Sequence, residues 1–458
     1  MSILNTDIQD IDQYLIINNE NKKLYGEVNT PFCLIKDMFS LFPENVFKNK
    51  NLKWLDVGAG SGNFSIILFH ILNKSLFDQI PDSGKRIKHI IENMIFLIEI
   101  NPSSINILKE RFGSKANIFD GDYLEMPTSF VEPDIIIGNP PYNFNGIKKV
   151  PTLNNVKKTK DGITIWTHII KKNIETLKEN GYMNIIIPSI WLKPDKAGIN
   201  NLLLQFKIIK MHTIDGNKAN QLFYKNGQTP LVYFLLKKEK TDHKIYLYDS
   251  LKRDYDIWNI QEYKELLSII PLDYSSILKK LLEKTKIYGC LHVTKTNMPS
   301  KKAIIDDIKT SNLIYENIHT CILQDKKYNI IKKYSNIKLP YHNQPKLVLA
   351  HKMYGIPYLD KEGKYGISNR DNYVIIDRSI QKLQKIKSCL ESKLIVFLYE
   401  ATRYRMKYLE KYIFRFLPDF SLIDNLDPEK INSFFNLTRE EIEFINKFVK
   451  KKYIITEN

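Results

Sequence analysis

Short apolar runs alternate with stretches of helical apolar spacing along the first 240 residues of the chain. Such alternation predicts an α/β sheet with helices on both faces. The predicted strands are Lys53–Val57, Met94–Ile100, Asn117–Phe119, Ile135–Gly138, Tyr182–Pro188 and Leu231–Lys237. The predicted helices are Asn63–Leu72, an inserted helix around Lys85–Asn93, Ser103–Phe112 and Thr164–Glu179, the last closed by Asn180 and Gly181.

The hydrophobic pattern changes near residue 240. Beyond it, predicted helices at Ser276–Lys286 and Ile380–Ser392 are mixed with short strand-like pieces and turns, which is typical of an α+β domain. Thr438 and Glu441 have the spacing of a capping box, which predicts a final helix through about Lys450. We therefore expect two domains, residues 1–240 and residues 241–458.

The net charge of +17 is distributed unevenly over the 458 residues. Residues 1–150 carry 15 Lys and Arg against 18 Asp and Glu, whereas residues 151–458 carry 53 against 33. A basic second part favours a polyanion that docks there, such as nucleic acid. The alternative is a lysine-rich surface that is merely solvated, as the abundance of Lys, Asn and Ile throughout the chain would also produce.

Membrane, export and metal signals are weak in this sequence. No apolar run approaches the ~18 residues that a membrane span needs, and the acidic N-terminus lacks the features of a signal peptide. The four cysteines are far apart and form no C-x-x-C pair, so neither a zinc site nor a disulfide framework is indicated. We expect a cytoplasmic, reduced protein without a membrane partner.

A glycine-rich loop, with Gly58, Gly60 and Gly62, follows the first predicted strand and opens a helix. Glycines there allow a sharp turn and a close approach of a ligand to the backbone. Dinucleotide enzymes use a similar loop, but their G-x-G-x-x-G spacing is longer than the G-x-G-x-G found here. Asp56, directly before the loop, would repel a diphosphate and attract the ammonium of an amino-acid ligand.

Acidic residues also end the next two predicted strands. Glu99 can accept both hydroxyls of a ribose, and Asp122 can accept the amino group of an adenine, with Asp120 as its rival. Each acid alone is equally compatible with a solvated strand end. Together with the glycine loop, they predict a ligand that combines an amino acid with a nucleoside.

Asn139-Pro140-Pro141-Tyr142 ends the predicted strand Ile135–Gly138. An amino nitrogen on an sp² system is a poor nucleophile because its lone pair is delocalised. Acceptors fixed around its two N–H groups return the lone pair to nitrogen, and the side-chain oxygen of Asn139 and the carbonyl of Pro140 can supply them. The prolines stiffen the loop, and Tyr142 offers a flat face to a planar substrate. This motif predicts an enzyme that transfers a chemical group to an exocyclic or amide nitrogen.

With these motifs in this order, the chain resembles the N6-adenine DNA methyltransferases of the gamma class. The resemblance covers residues 20–240 and implies a Rossmann-like, seven-stranded methyltransferase domain followed by an α+β target-recognition domain. It implies S-adenosylmethionine as the cofactor, with the methionine moiety held by Thr30, Asp56, Gly58 and Gly60, the ribose by Glu99, and the adenine amine by Asp122, with Tyr123 packing nearby. Asn139 would lie between this cofactor and the target.

The same resemblance implies direct methyl transfer to an adenine that is flipped out of duplex DNA. Phe223 matches the aromatic residue that packs on the flipped base opposite Tyr142. A cognate restriction endonuclease is expected to be a separate chain, because no nuclease domain fits before Thr30. Basic and aromatic residues near the end of the chain suit DNA contacts, or equally a helix whose tyrosines face a core: Tyr404, Arg405, Lys407, Tyr408, Lys411, Tyr412 and Arg415.

Three other functions share parts of these motifs. Protein glutamine methyltransferases of the release-factor type use the same Asn-Pro-Pro-Tyr loop, although their substrate-binding part usually precedes the catalytic domain. RNA base methyltransferases are separable only by a substrate assay. A non-enzymatic binding protein with a degenerate fold is disfavoured by the intact Asp56, Glu99 and Asn139.

Overall fold

The computed structural model describes residues 29–144, 163–223, 229–262, 266, 268–324, 327–351, 356–404 and 409–450. The chain divides into two compact units. The first comprises Met1–Tyr248 with Tyr255–Ile260, and the second comprises Asp249–Asp254 with Gln261–Asn458. The predicted boundary at 240 falls before two further strands that continue the sheet of the first unit.

The described residues of the first unit form a nine-stranded sheet and a two-stranded ribbon. The strands, in chain order, are β1 Trp54–Val57, β2 Ile95–Glu99, β3 Asn117–Asp120, β4 Ile135–Gly138, β5 Asn143–Phe144, β6 Ile163–Thr164, β7 Tyr182–Pro188, β8 Phe206–Ile214, β9 Leu231–Lys240, β10 Lys244–Asp249 and β11 Asp254–Asn259. Their order in the sheet is β11-β10-β8-β9-β7-β4-β1-β2-β3, and β5 pairs with β6.

Strands β3, β2, β1, β4 and β7 run parallel. Strand β9 is antiparallel to both β7 and β8. Seven of the strands thus make the predicted Rossmann-like sheet, and β10 and β11 extend it beyond β8. Because the parallel strands point the same way, the residues after β1, β2, β3 and β4 meet at one edge, where ligands of α/β sheets bind.

The helices of the first unit follow the predicted alternation with strands. They are Phe32–Phe39, Glu44–Phe47, Asn63–Ser75, Ser83–His89 with a wider turn at Ile90–Met94, Pro102–Phe112, Trp166–Thr176, Ile199–Leu203 and Gly216–Leu222, with short 3-10 turns at Tyr123–Glu125 and Ser189–Leu192. The inserted helix lies where it was predicted. The helix predicted through Glu179 ends at Thr176, and Asn180, with a φ of 63°, lies in the turn that leads into β7.

The core of the first unit lies against β1 and its neighbours. Helix Asn63–Ser75 is buried over its first seven residues and again at Leu72. Trp54 of β1 is fully buried and stacks on Phe47, with ring centroids 5.5 Å apart. Burying each such large side chain contributes about 1.5–3 kcal/mol, which makes this part of the sheet a rigid support for the loops at its edge.

The second unit is a mixed α+β structure, as predicted. Its strands are β12 Thr294–Lys295, β13 Ile305–Asp306, β14 Tyr315–Gln324, β15 Lys327–Ser335, β16 Lys346–Ala350, β17 Tyr358–Asp360, β18 Gly366–Ile367 and β19 Asn372–Ile376, in two four-stranded sheets. Its helices are Ser275–Tyr288, Ile380–Leu390, Lys393–Ala401, Ile431–Phe434 and Arg439–Lys450, with 3-10 turns at Lys411–Phe416, Phe420–Leu422 and Pro428–Lys430.

Side-chain caps fix the helix ends of this unit. The predicted capping box is present, because Thr438 N–H donates to Glu441 at 2.7 Å and Glu441 N–H donates to the Thr438 hydroxyl at 3.2 Å. The helix predicted through Ser392 ends at Leu390, since the Ser392 side chain accepts from Ile395 N–H and begins a new helix.

The basic-aromatic segment near the end of the chain is only partly described. Tyr404 is buried, and its hydroxyl donates to the Ile270 carbonyl at 2.6 Å, so this tyrosine is a core residue. Residues 405–408 lie outside the described residues. Arg415 lies over the Tyr412 ring at 5.3 Å. None of the described helices is long and apolar enough to cross a membrane.

Candidate active site

A cleft opens at the carboxyl ends of β1, β2 and β4 and beside the turn after β3. It encloses about 870 Å³ of empty space, part of which is open solvent. Eight of the predicted site residues line it: Thr30, Gly58, Gly60, Glu99, Asp122, Tyr123, Asn139 and Pro141. The predicted cofactor-binding and catalytic motifs therefore share one cleft.

The glycine loop packs directly on the Asn-Pro-Pro-Tyr loop. Gly58 has a φ of 72°, and a Cβ added there would lie 3.3 Å from Cδ of Pro141. Gly138 has a φ of 141°, and a Cβ there would lie 2.9 Å from the Val57 carbonyl oxygen. Only glycine tolerates both the left-handed backbone and the close approach, so these two positions bring β1 and β4 together beneath the cleft.

Glu99 is held rigidly at the end of β2. One carboxylate oxygen accepts Gly60 N–H at 2.6 Å, and the other accepts Ile100 N–H at 2.9 Å and Asn101 N–H at 2.8 Å. The side chain is buried apart from the part that lines the cleft. A ribose bound here would share the carboxylate with these backbone donors.

The structure separates the two acids that follow β3. Asp122 lines the cleft, and its side chain accepts Leu124 N–H at 2.9 Å, which caps the turn that carries buried Tyr123. Asp120 is exposed and does not line the cleft. This placement agrees with the preference for Asp122 over Asp120.

Asp56 lies beneath the glycine loop and does not line the cleft. Its side chain is 1% exposed, with one oxygen accepting the Ser65 hydroxyl at 2.7 Å and the other buried without a hydrogen-bond partner. Desolvation raises the pKa of Asp56 to about 7, and the nearby charge of Glu99 adds to the rise. We therefore assign Asp56 to support of the loop instead of direct contact with a ligand.

Asp56 should make the stability of the fold depend on pH. Because the pKa is raised in the folded protein, the protonated carboxyl of Asp56 stabilises the fold. This contribution to the free energy of unfolding is complete below pH ~4 and is lost as the pH rises through about 7. At about 1.4 kcal/mol per pKa unit, the loss is on the order of a few kcal/mol. Asp56→Asn should remove this dependence, so thermal unfolding between pH 5 and 8 should show the wild type losing stability relative to the variant. Parallel curves for the two proteins would contradict the assignment.

Asn139 is held by a residue far away in sequence. Its side-chain N–H donates to the Thr30 hydroxyl at 3.0 Å. Pro140, directly after it, is buried, and Tyr142 is half-buried, with its hydroxyl donating to the Ile186 carbonyl at 3.3 Å. Burial raises the pKa of Tyr142, so its hydroxyl stays neutral.

Phe223 does not line the cleft. It is 3% exposed and belongs to the apolar core of the first unit, against which Tyr142 also packs. It directly follows helix Gly216–Leu222, and residues 224–228 lie outside the described residues. Its predicted contact with a flipped base stays a prediction.

Part of this site lies in a segment that matches a known family. Residues 69–223 match the family described as Eco57I restriction-modification methylase. The match includes Glu99, Asp122 and the Asn139–Tyr142 loop, and it ends at Phe223. Over this segment, which is about a third of the chain, the protein resembles the restriction-modification methylases. The match agrees with the resemblance inferred from the motifs.

Solved structures similar to this chain include two subunits of type I restriction systems. One is a modification subunit from Vibrio vulnificus, with 18% identity over 49% of this chain and 47% of that chain and a TM-score of 0.35. The other is a methyltransferase subunit from Streptococcus thermophilus, with 21% identity over 50% of each chain and a TM-score of 0.33. This chain thus covers about half the length of those chains. No curated protein matches it significantly.

Several residues that line the cleft were not predicted from the sequence. Asn63 lines the cleft and donates to the Thr30 carbonyl at 3.1 Å. Ile165 and Ile169 form an apolar wall from the start of helix Trp166–Thr176. Asn63 directly follows the glycine loop, so its position was a usable signal, whereas the isoleucines carry no signal that distinguishes them from core residues.

Proposed function

We propose that this protein transfers a methyl group from S-adenosylmethionine to N6 of adenine in DNA. The observation that carries the proposal is the convergence of Asn139, Glu99 and Asp122 on one cleft at the carboxyl ends of the parallel strands. Asn139 presents an amide to a target nitrogen, while the two acids suit a nucleoside that carries hydroxyl and amino donors. The family match supports DNA as the substrate.

The residues of the cleft fit the proposed cofactor. Gly58 and Gly60, both with positive φ, line the cleft and add no side chain of their own to it. Glu99 would bind the ribose, Asp122 the adenine amine, and Thr30 and the loop backbone the methionine end. Phe64, Ile98 and Ile169 supply apolar surface.

Asn139 and Pro140 would prepare the target nitrogen. Bound S-adenosylmethionine supplies an electrophilic methyl group on a sulfonium. The side-chain oxygen of Asn139 and the backbone carbonyl of Pro140 accept the two N–H groups of the target amine, which restores its lone pair. Because Pro140 is buried and Asn139 is tied to Thr30, these acceptors are fixed before reaction, and such preorganisation is a major source of catalysis.

The target adenine must leave the duplex to reach Asn139. Tyr142 is proposed as its stacking surface, and base–aromatic stacking contributes about 1–3 kcal/mol. For Phe223 to stack on the other side, its ring would have to turn out of the core in which it is buried. The basic residues beyond 150 are proposed to bind the DNA backbone. The cognate endonuclease of such a system is proposed to be a separate chain.

Transfer of labelled methyl groups tests the substrate class. Purified protein and S-adenosyl[methyl-³H]methionine would be offered duplex DNA, total RNA and protein extract in parallel, with Asn139→Ala as the matched control. We expect label in DNA that depends on Asn139. Asn139-dependent label in RNA or in protein glutamine, with none in DNA, would replace the proposal with the corresponding rival.

A further inference from the structure

We infer that Thr30 is a positioning residue that sets the orientation of the Asn139 amide and couples it to the amino-acid end of the cofactor. The inference rests on the proposed function. It assigns Thr30 a second role beyond cofactor contact, namely to decide which end of the Asn139 side chain faces the target nitrogen.

The geometry ties the two residues together. An Asn amide has a donor end and an acceptor end of nearly the same shape, and only the acceptor end can receive the N–H groups of a target amine. The Nδ2 group of Asn139 donates to Oγ1 of Thr30 at 3.0 Å. This bond directs Nδ2 toward Thr30, so that Oδ1 is the amide atom that points away from Thr30. A reversed amide would present N–H groups to an amine, and transfer would stop.

Thr30 is itself held in place from two sides. It is 3% exposed, and its carbonyl accepts a hydrogen bond from Asn63 Nδ2 at 3.1 Å. Asn63 Oδ1 in turn accepts the Ser61 hydroxyl at 3.1 Å. The glycine loop, Thr30 and Asn139 thus form one hydrogen-bonded chain along the cleft, and Pro31 after Thr30 restricts the backbone.

The hydroxyl of Thr30 connects both ends of the site. A hydroxyl has one proton and two lone pairs. Since Oγ1 accepts from Asn139, its proton is directed to another acceptor, and Thr30 lines the cleft where the methionine carboxylate would lie. Donation to a carboxylate makes Oγ1 a stronger acceptor, because hydrogen bonds in a chain polarise one another. A bound cofactor would therefore fix Asn139 more firmly in its productive orientation.

Thr30→Val and Thr30→Ser separate positioning from binding. Valine keeps the shape of threonine without the hydroxyl, and serine keeps the hydroxyl. At saturating cofactor and DNA, we expect kcat of Thr30→Val to fall about ten- to a hundredfold while the cofactor Kd rises less than tenfold, and Thr30→Ser to recover most of kcat. A normal kcat for Thr30→Val would reduce Thr30 to a cofactor contact and overturn the inference. Equal losses in both variants would assign the effect to packing and also overturn it.

A second readout needs no turnover. In protein labelled with ¹⁵N-asparagine, the side-chain amide signal of Asn139 is identified as the one missing from Asn139→Ala. We expect it to shift in Thr30→Val and to return toward its wild-type position in Thr30→Ser. An unchanged signal in Thr30→Val would overturn the inference even if kcat fell. If the wild-type protein methylated no DNA but the signal still shifted in Thr30→Val, the result would contradict the proposed function. It would still support the hydrogen bond between Asn139 and Thr30.

Discussion

Asn139→Ala is expected to lower methyl transfer about a hundred- to a thousandfold, the loss typical of removing one preorganised group that stabilises developing charge. The alanine removes the acceptor for the target amine, while Glu99, Asp122 and the glycine loop remain in the cleft. Cofactor affinity should therefore stay within several-fold of the wild type. Single-turnover rates on duplex DNA and calorimetric titration of S-adenosylmethionine measure the two effects separately.

Asn139→Asp is the matched control for this prediction. Aspartate keeps oxygen acceptors for the target amine but loses the N–H group that donates to Thr30. We expect a rate between those of the wild type and the alanine variant. Near-normal turnover of Asn139→Ala would remove Asn139 from the catalytic role, whatever the behaviour of the aspartate.

Glu99→Gln is expected to weaken cofactor binding by about a hundredfold or more. Glu99 accepts three backbone N–H groups around the cleft, from Gly60, Ile100 and Asn101. A glutamine has one acceptor oxygen in place of two, and its side-chain NH₂ group would face one of these backbone N–H donors. Hydrogen bonds to charged groups contribute about 1.5–3 kcal/mol each, so both the loop and the ribose site should lose support. Calorimetric titration measures the affinity, and thermal unfolding without cofactor measures the cost to the loop.

Asp120→Asn provides the control for Glu99→Gln. Asp120 ends the adjacent strand β3 but is exposed and does not line the cleft. We expect its replacement to leave cofactor affinity unchanged, whereas Asp122→Asn should weaken it. A larger effect at Asp120 than at Asp122 would move the adenine site to Asp120 and contradict the geometry of the cleft.

Local pattern predicted the central strands because each is apolar and ends in a chemically distinctive residue. Strands β4 and β7 have the predicted bounds, and β1 and β2 differ at their ends by one residue. Strand β8 was missed because only every third residue of it is buried, and its lysines interrupt the apolar run. Strands β10 and β11 follow the apparent change of pattern at 240. Only the pairing of β10 with β8, and the position of β11 beside β10, place them in the sheet.

The sequence predicted those site residues whose type and position in a motif indicate a chemical role. Glu99 ends β2, and Asp122 and Asn139 follow β3 and β4 within two residues, so the rule that ligands bind at strand carboxyl ends brings them together. The bond between Asn139 and Thr30 joins residues 109 positions apart, and no local pattern indicates it. The burial of Asp56 was missed for a related reason, since the sequence does not tell a strand-end acid in the cleft from one under the loop.

Analysis of the labelled nucleosides tests the central claim most directly. DNA methylated by the wild-type protein with tritiated S-adenosylmethionine would be digested to nucleosides and separated by chromatography with mass detection, with Asn139→Ala DNA digested alongside. We expect the label to elute as N6-methyldeoxyadenosine and to be nearly absent from the Asn139→Ala sample. Label in N4-methyldeoxycytidine, or label in N6-methyldeoxyadenosine that persists in the Asn139→Ala sample, would contradict the account.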